Sequence, residues 1–90
     1  MGIKIHLNPG MYHLADNNEI FEADGKTVGE CIDQLIARYP GLRDLIFYKD
    51  GSLQTFIEIY VNRKSAAPNE LEQEVRGGDE IHLVMTIAGG

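Results

Sequence analysis

Hydrophobic residues recur along this chain with two different periods, and the switch between them predicts most of the elements. Ile3, Ile5 and Leu7 alternate with Lys4, His6 and Asn8, the period of a half-buried strand, and Asn8-Pro9-Gly10 ends it. Residues 11–18 read as a packed loop, with Met11, Tyr12 and Leu14 turned inward and Asp16-Asn17-Asn18 as a turn. Glu19 to Ala23 reads as a short second strand closed by Asp24-Gly25, so the first two strands form a hairpin. The period then changes. Val28, Cys31, Ile32, Leu35, Ile36 and Tyr39 fall on one face of a helix, with Glu30, Asp33, Gln34 and Arg38 on the other. Thr27 and Glu30 have the spacing of a capping box at its start, and Pro40-Gly41 ends it. Gly29, in the first turn, predicts a close approach of another segment, since glycine there otherwise costs up to about 1 kcal/mol against alanine.

Beyond the helix, Leu42, Leu45, Ile46 and Phe47 predict an irregular piece under the core, followed by a hairpin turn at residues 48–52. Residues 56–62 form the clearest strand, with Ile57, Ile59 and Val61 on one side. Residues 63–69 read as a polar loop and 70–75 as one helical turn or a packed loop. Gly77-Gly78-Asp79 turns into a last strand in which Ile81, Leu83 and Met85 alternate with His82, Val84 and Thr86. One long helix among these strands predicts an α+β fold: a mixed sheet of four to five strands packed on one main helix. First and last strands side by side in the centre make this the β-grasp, or ubiquitin-like, topology. The expectation is a single domain over residues 1–90, with a flexible Gly-Gly tail from about residue 86.

Composition narrows the partners. Ninety residues with 43% hydrophobic and 24% charged side chains suffice for one core and not two. A net charge of −6 argues against nucleic acid and against an anionic membrane, and favours a partner with a basic cradle. The single Cys31 cannot form an intramolecular disulfide, no apolar run is long enough to span a bilayer, and residues 1–6 lack a signal-peptide pattern. A cytoplasmic location is therefore expected.

No catalytic constellation is legible within the domain. His6, His13 and His82 lack metal-ligand spacing, so they read as solvent-facing or cross-strand side chains and no metal site is expected. Cys31 sits on the apolar helix face and reads as core. Glu70, Glu72, Glu74, Asp79 and Glu80 read as a solvated acidic run without the spacing of a calcium loop. No P-loop, nucleotide fingerprint or nucleophile–base order is present.

The remaining feature is Ile87-Ala88-Gly89-Gly90, reached directly from the last strand. A frayed end is one reading. The other is that the Gly90 carboxylate is the reactive group. A terminal carboxyl has an ordinary pKa near ~3.5, so at neutral pH it is ionised and unreactive until ATP activates it as an acyl adenylate. Side-chain-free Gly89 and Gly90 would let the backbone thread a narrow channel, with Ala88 next in line.

Gly78-Asp79-Glu80-Ile81, a strand, and Ile87-Ala88-Gly89-Gly90 resemble the MoaD/ThiS family of ubiquitin-like sulfur carriers. The resemblance extends back through Ile57 to Asn62, the Gly51-Ser52-Leu53 turn and the helix from Thr27 to Pro40. It implies adenylation by a ubiquitin-activating-type adenylyltransferase that brings ATP and Mg²⁺, with no cofactor intrinsic to the carrier. A sulfur donor then converts the Gly90 carboxylate to a thiocarboxylate. That group delivers sulfide to a biosynthetic enzyme making cysteine or another sulfur amino acid, molybdopterin or thiamine. Length and the 56–62 strand are most similar to carriers feeding a cysteine-synthase-like enzyme. Next come small subunits of molybdopterin synthase, which dock on a large subunit and usually carry a proline pair where Met85-Thr86 stands here. Arg63-Lys64 departs from the small or acidic residues often found there in the family. Family members dock through an apolar patch beside the tail, for which Val84 and Ile87 are the candidates by position, with Leu7 behind them and core packing its alternative, given its alternation with Ile3 and Ile5. The expectation is a carrier that is a co-substrate and not an enzyme, monomeric when free. Two alternatives stand beside it: a ubiquitin-like modifier conjugated through Gly90, and an inert β-grasp interaction domain.

Overall fold

Strands at opposite ends of the sequence lie side by side, which fixes the architecture. In the computed structural model, which describes residues 2–86, strands Ile3–His6 (β1) and Glu80–Met85 (β5) pair in parallel, Ile5 opposite Ile81 and His6 opposite His82. Ile20–Ala23 (β2) pairs antiparallel with β1, and Ile57–Val61 (β3) antiparallel with β5. Lys64–Ser65 (β4) closes the other edge, giving a five-stranded mixed sheet in the order β2-β1-β5-β3-β4. The helix predicted after β2 is Val28–Arg38 (α1), and a second, short helix Arg43–Ile46 (α2) follows it. The α+β, β-grasp expectation is met.

The core forms where the two periods face one another. Ile3, Ile5, Ile57, Ile59, Ile81 and Leu83 from alternate strand positions, and Val28, Cys31, Ile32, Leu35 and Ile36 from α1, are all buried in one cluster. No polar or charged side chain is buried among the described residues. Thr27 caps α1 by accepting the Glu30 amide at 3.1 Å. The Glu30 carboxylate turns back to the Lys26 amide at 2.8 Å, one residue before the position a capping box predicts. Gln34 brackets Asp24, accepting its amide at 2.8 Å and donating to its carbonyl at 3.2 Å, which ties the end of β2 to α1. Gly29 has the predicted neighbour: a Cβ there would stand 3.0 Å from the Leu71 carbonyl oxygen, on the 3-10 turn Glu70–Glu72.

Three stretches differ from their predicted form. The loop after β1 is a 3-10 turn, Pro9–Leu14, capped by the Asn8 side chain and buried at Met11. The piece after α1 is a 3-10 turn, Pro40–Leu42, running into α2, with Leu42 and Ile46 buried. The start of the polar loop is a hairpin: Asn62 and Arg63 both have positive φ, 49° and 72°, and this tight turn sends β4 back along β3. No helix among the described residues is long and apolar enough to cross a membrane.

Candidate functional site

The sheet carries Thr86 to the point where the proposed tail leaves. Ile87, Ala88, Gly89 and Gly90 lie outside the described residues. Thr86 falls at the end of the predicted last strand, about where the tail is expected to begin; its amide donates to the Phe56 carbonyl at 2.7 Å and its hydroxyl to the same oxygen at 3.2 Å. Hydrogen bonding to the residue before β3 therefore extends through Thr86, as its place in the predicted last strand requires.

Of the docking candidates, the structure separates Val84 from Leu7. Val84 is half-buried on the solvent face of the sheet, opposite Glu58. Leu7 is 5% exposed and belongs to the core, the core-packing alternative its alternation with Ile3 and Ile5 offers, so it is not carried forward as a docking residue. It continues the inward alternation of Ile3 and Ile5 past the end of β1, with its amide bonded to the Glu19 carbonyl at 2.9 Å. On the same solvent face lie Lys4, His6, Glu58, Tyr60, Glu80 and His82, with Ile20 exposed at its β2 edge.

At the entry to β5 a polar clasp explains the Gly-Asp turn. Gly78 takes a φ of +94°, open to glycine and strained for other residues. The Asp79 carboxylate then accepts the Arg76 amide at 2.9 Å and the Asn62 side-chain amide at 3.0 Å, while Asn62 Oδ1 accepts the Glu80 amide at 3.0 Å. The turn into β5 is thereby locked to the turn leaving β3. The Asn62 hydrogen bond first, and the Arg76 amide second, hold the Asp79 carboxyl below the usual carboxylate range. A carboxyl depressed in the folded state adds stability above its unfolded pKa of about 3.9, and loses it as pH falls through the folded value. Asp79→Asn is accordingly expected to cost about 1 kcal/mol at neutral pH, modest because the site is accessible to water. In thermal melts the gap between the two proteins should shrink below pH ~4 and hold steady above it.

His6 and His82 are brought together by the parallel register of β1 and β5. Their rings stack with centroids 4.2 Å apart and 4° between planes, and His6 Nε2 lies 2.6 Å from Glu80 Oε1. Burial first, and the neighbouring His6 next, hold the His82 imidazole below the ordinary histidine value, with Glu80 opposing. His13 is exposed on the 3-10 turn Pro9–Leu14. Cys31 is fully buried, as expected for a core residue, and burial raises its thiol pKa, so no thiolate is presented.

With this geometry in view, comparison with known proteins is informative. Residues 5–90 match the ThiS family. A protein of Archaeoglobus fulgidus named provisionally as a sulfur carrier is 40% identical over 93 positions, covering all of both chains. Small archaeal modifier protein 1 of Haloferax volcanii is 34% identical over 70 positions, 77% of each chain. Its crystal structure superposes with a TM-score of 0.86 and 27% identity over the whole of both chains. A chain in the crystal structure of the BexX/CysO complex of Amycolatopsis orientalis is 29% identical with a TM-score of 0.86, over 98% of this chain and 99% of that one.

Proposed function

From the premise that the chain belongs to the ThiS family of ubiquitin-like sulfur carriers, we propose that its working group is the Gly90 carboxylate, activated by ATP and converted to a thiocarboxylate. The observation that carries this reading is the family match, which runs from β1 through Gly89-Gly90 and not merely over the fold. The described residues add a second support: Cys31, the chain's one thiol, is sealed in the core and offers no competing sulfur group.

The chemistry asks little of the carrier. A carboxylate oxygen attacks the α-phosphorus of ATP, the bond to the β-phosphate oxygen breaks, and pyrophosphate leaves with its Mg²⁺ in the activating enzyme. Hydrosulfide released by the donor then attacks the acyl carbon, AMP departs with the oxygen that bridged it, and loss of the sulfur's proton leaves the thiocarboxylate. The chain supplies the carboxylate, a slender approach and a surface to be held by. Four residues beyond Thr86 reach at most about 13–14 Å, enough to pass the wall of a partner and enter its active site. Val84, and Ile87 beyond it, are proposed as the apolar contacts beside that approach, in place of Leu7.

Pyrophosphate exchange tests the first half-reaction. With a cognate adenylyltransferase, exchange of labelled pyrophosphate into ATP should depend on this chain; exchange that proceeds equally without it contradicts the reading. Enzymes of cysteine, molybdopterin or thiamine synthesis are the proposed acceptor classes, the first put forward on the chain's length and its 56–62 strand. A second reading has its own support, the modifier name borne by the Haloferax relative. Gly-Gly remnants on target lysines, traced to this chain by mass spectrometry, would favour conjugation; remnants absent from cells that hold the thiocarboxylate would favour sulfur transfer alone.

A further inference from the structure

We propose that His6, Glu80 and His82 form a binding site for a divalent transition-metal ion of the zinc class, on the solvent face of the sheet and built by the parallel register of β1 and β5. The inference rests on no reading of the tail. Three donor groups of the right chemistry converge: two imidazoles and one carboxylate, with their ligand atoms all within 4.8 Å of one another. At a tetrahedral centre with bonds of roughly 2.0–2.2 Å, ligand atoms stand about 3.4 Å apart. The widest pair therefore has to close by up to about 1.4 Å and the His6–Glu80 pair, at 2.6 Å, to open by about 0.8 Å, shifts that side-chain rotation covers, since His6 is 28% exposed and Glu80 48%.

The backbone fixes the three positions. His6 and His82 are register partners on adjacent parallel strands, and Glu80 sits one pleat before His82 on the same face. The clasp between Asn62, Asp79 and the Glu80 amide anchors the start of β5, so the carboxylate projects from a fixed point. In the ion-free chain the stacked rings and the His6–Glu80 hydrogen bond already hold the donors together. Binding replaces that hydrogen bond: the ion enters between His6 Nε2 and Glu80 Oε1, and neutral His6 carries its proton on Nδ1 instead. The His82 ring then tilts out of the stack to bring one nitrogen to the metal.

Donor type selects the ion. Imidazole suits Zn²⁺, Ni²⁺ and Cu²⁺, whereas Mg²⁺ and Ca²⁺ require mostly oxygen. Arg63 and Asn62 line the same depression, and the Arg63 guanidinium opposes an incoming cation. Affinity is accordingly expected in the micromolar range and not the nanomolar one. Three protein donors leave a coordination position for water or for a donor from a bound partner.

Isothermal titration of the tag-free chain with Zn²⁺ tests the site, together with the imidazole proton resonances of all three histidines. The expected result is one ion per chain, with the His6 and His82 resonances moving and the His13 resonances still. His6→Asn, Glu80→Gln and His82→Asn should each weaken binding by about tenfold or more. These substitutions fall at surface positions, and circular dichroism verifies that each variant is folded before titration. Absence of saturable binding by the wild-type chain overturns the proposal. So does unchanged affinity in any one of the three variants.

Discussion

Gly90→Ala, and likewise deletion of Gly89 and Gly90, should lower chain-dependent pyrophosphate exchange by about 100-fold or more while leaving the melting temperature unchanged. The two halves of this result have separate causes. Misplacing a reacting group by about 1 Å costs on the order of 100-fold in rate, and a methyl group in a channel shaped for glycine displaces the carboxylate by that much or blocks it. Stability is set elsewhere: the buried core residues lie between Ile3 and Leu83, and the last backbone hydrogen bond described is Thr86 to Phe56. Exchange activity and thermal unfolding, measured on the same preparations, check both halves. A variant that loses activity by unfolding would contradict the separation.

Ile81→Ala should produce the opposite pattern. Ile81 is fully buried in β5, flanked by Ile5 on β1 and Val61 on β3. Truncation removes three carbon atoms from the centre of the sheet's inner face and leaves a cavity that α1 cannot follow inward, at a cost of about 3 kcal/mol. For a domain of this size the melting temperature should fall by roughly 12–24 °C. Val84→Ala, three residues on and facing solvent, should cost less than about 1 kcal/mol. Below its own melting temperature the Ile81 variant should still support pyrophosphate exchange, because its tail chemistry is untouched. Calorimetry and the exchange assay together decide the matter.

These two substitutions mark how far the sequence could be read. Alternation at Ile3 and Ile5, at Ile57, Ile59 and Val61, and at Ile81 and Leu83 exposes every long strand, because one buried face imposes a period of two. The helix is legible for the same reason at a different period. The strand β4 is hidden because its tight turn uses Asn62-Arg63, with an arginine where glycine is the usual second residue. The 3-10 turn at Pro9–Leu14 and helix α2 are too short to establish a period, and their burial comes from tertiary contact alone. Leu7 lies past the end of its strand, so periodicity could place it inward, while a positional argument about docking could not.

The candidate site divides similarly. The Gly-Gly ending is visible in the sequence as composition, and its role rests on chemistry that no neighbouring side chain has to supply. The His6–Glu80–His82 cluster was not legible, since His6 lies 74 and 76 positions from Glu80 and His82 and meets them only through the register of β1 with β5. The one signal available beforehand was that both histidines occupy the polar phase of strands expected to pair. Glu80 belongs to an acidic run that reads as solvated, and the register of β1 with β5 brings its carboxylate to His6 while the clasp at Asn62 and Asp79 holds its backbone. The same clasp gives the Gly-Asp turn a structural reason: it docks the turn into β5 against the turn out of β3.

The central claim is that Gly90 carries sulfur, and the intact mass of the chain tests it most directly. After incubation with a cognate adenylyltransferase, ATP, Mg²⁺ and a sulfide source, the mass should rise by the difference between one sulfur and one oxygen atom. Fragmentation should locate that change in Gly90. An unchanged mass under conditions where pyrophosphate exchange is active, or a change located anywhere else in the chain, would contradict the account.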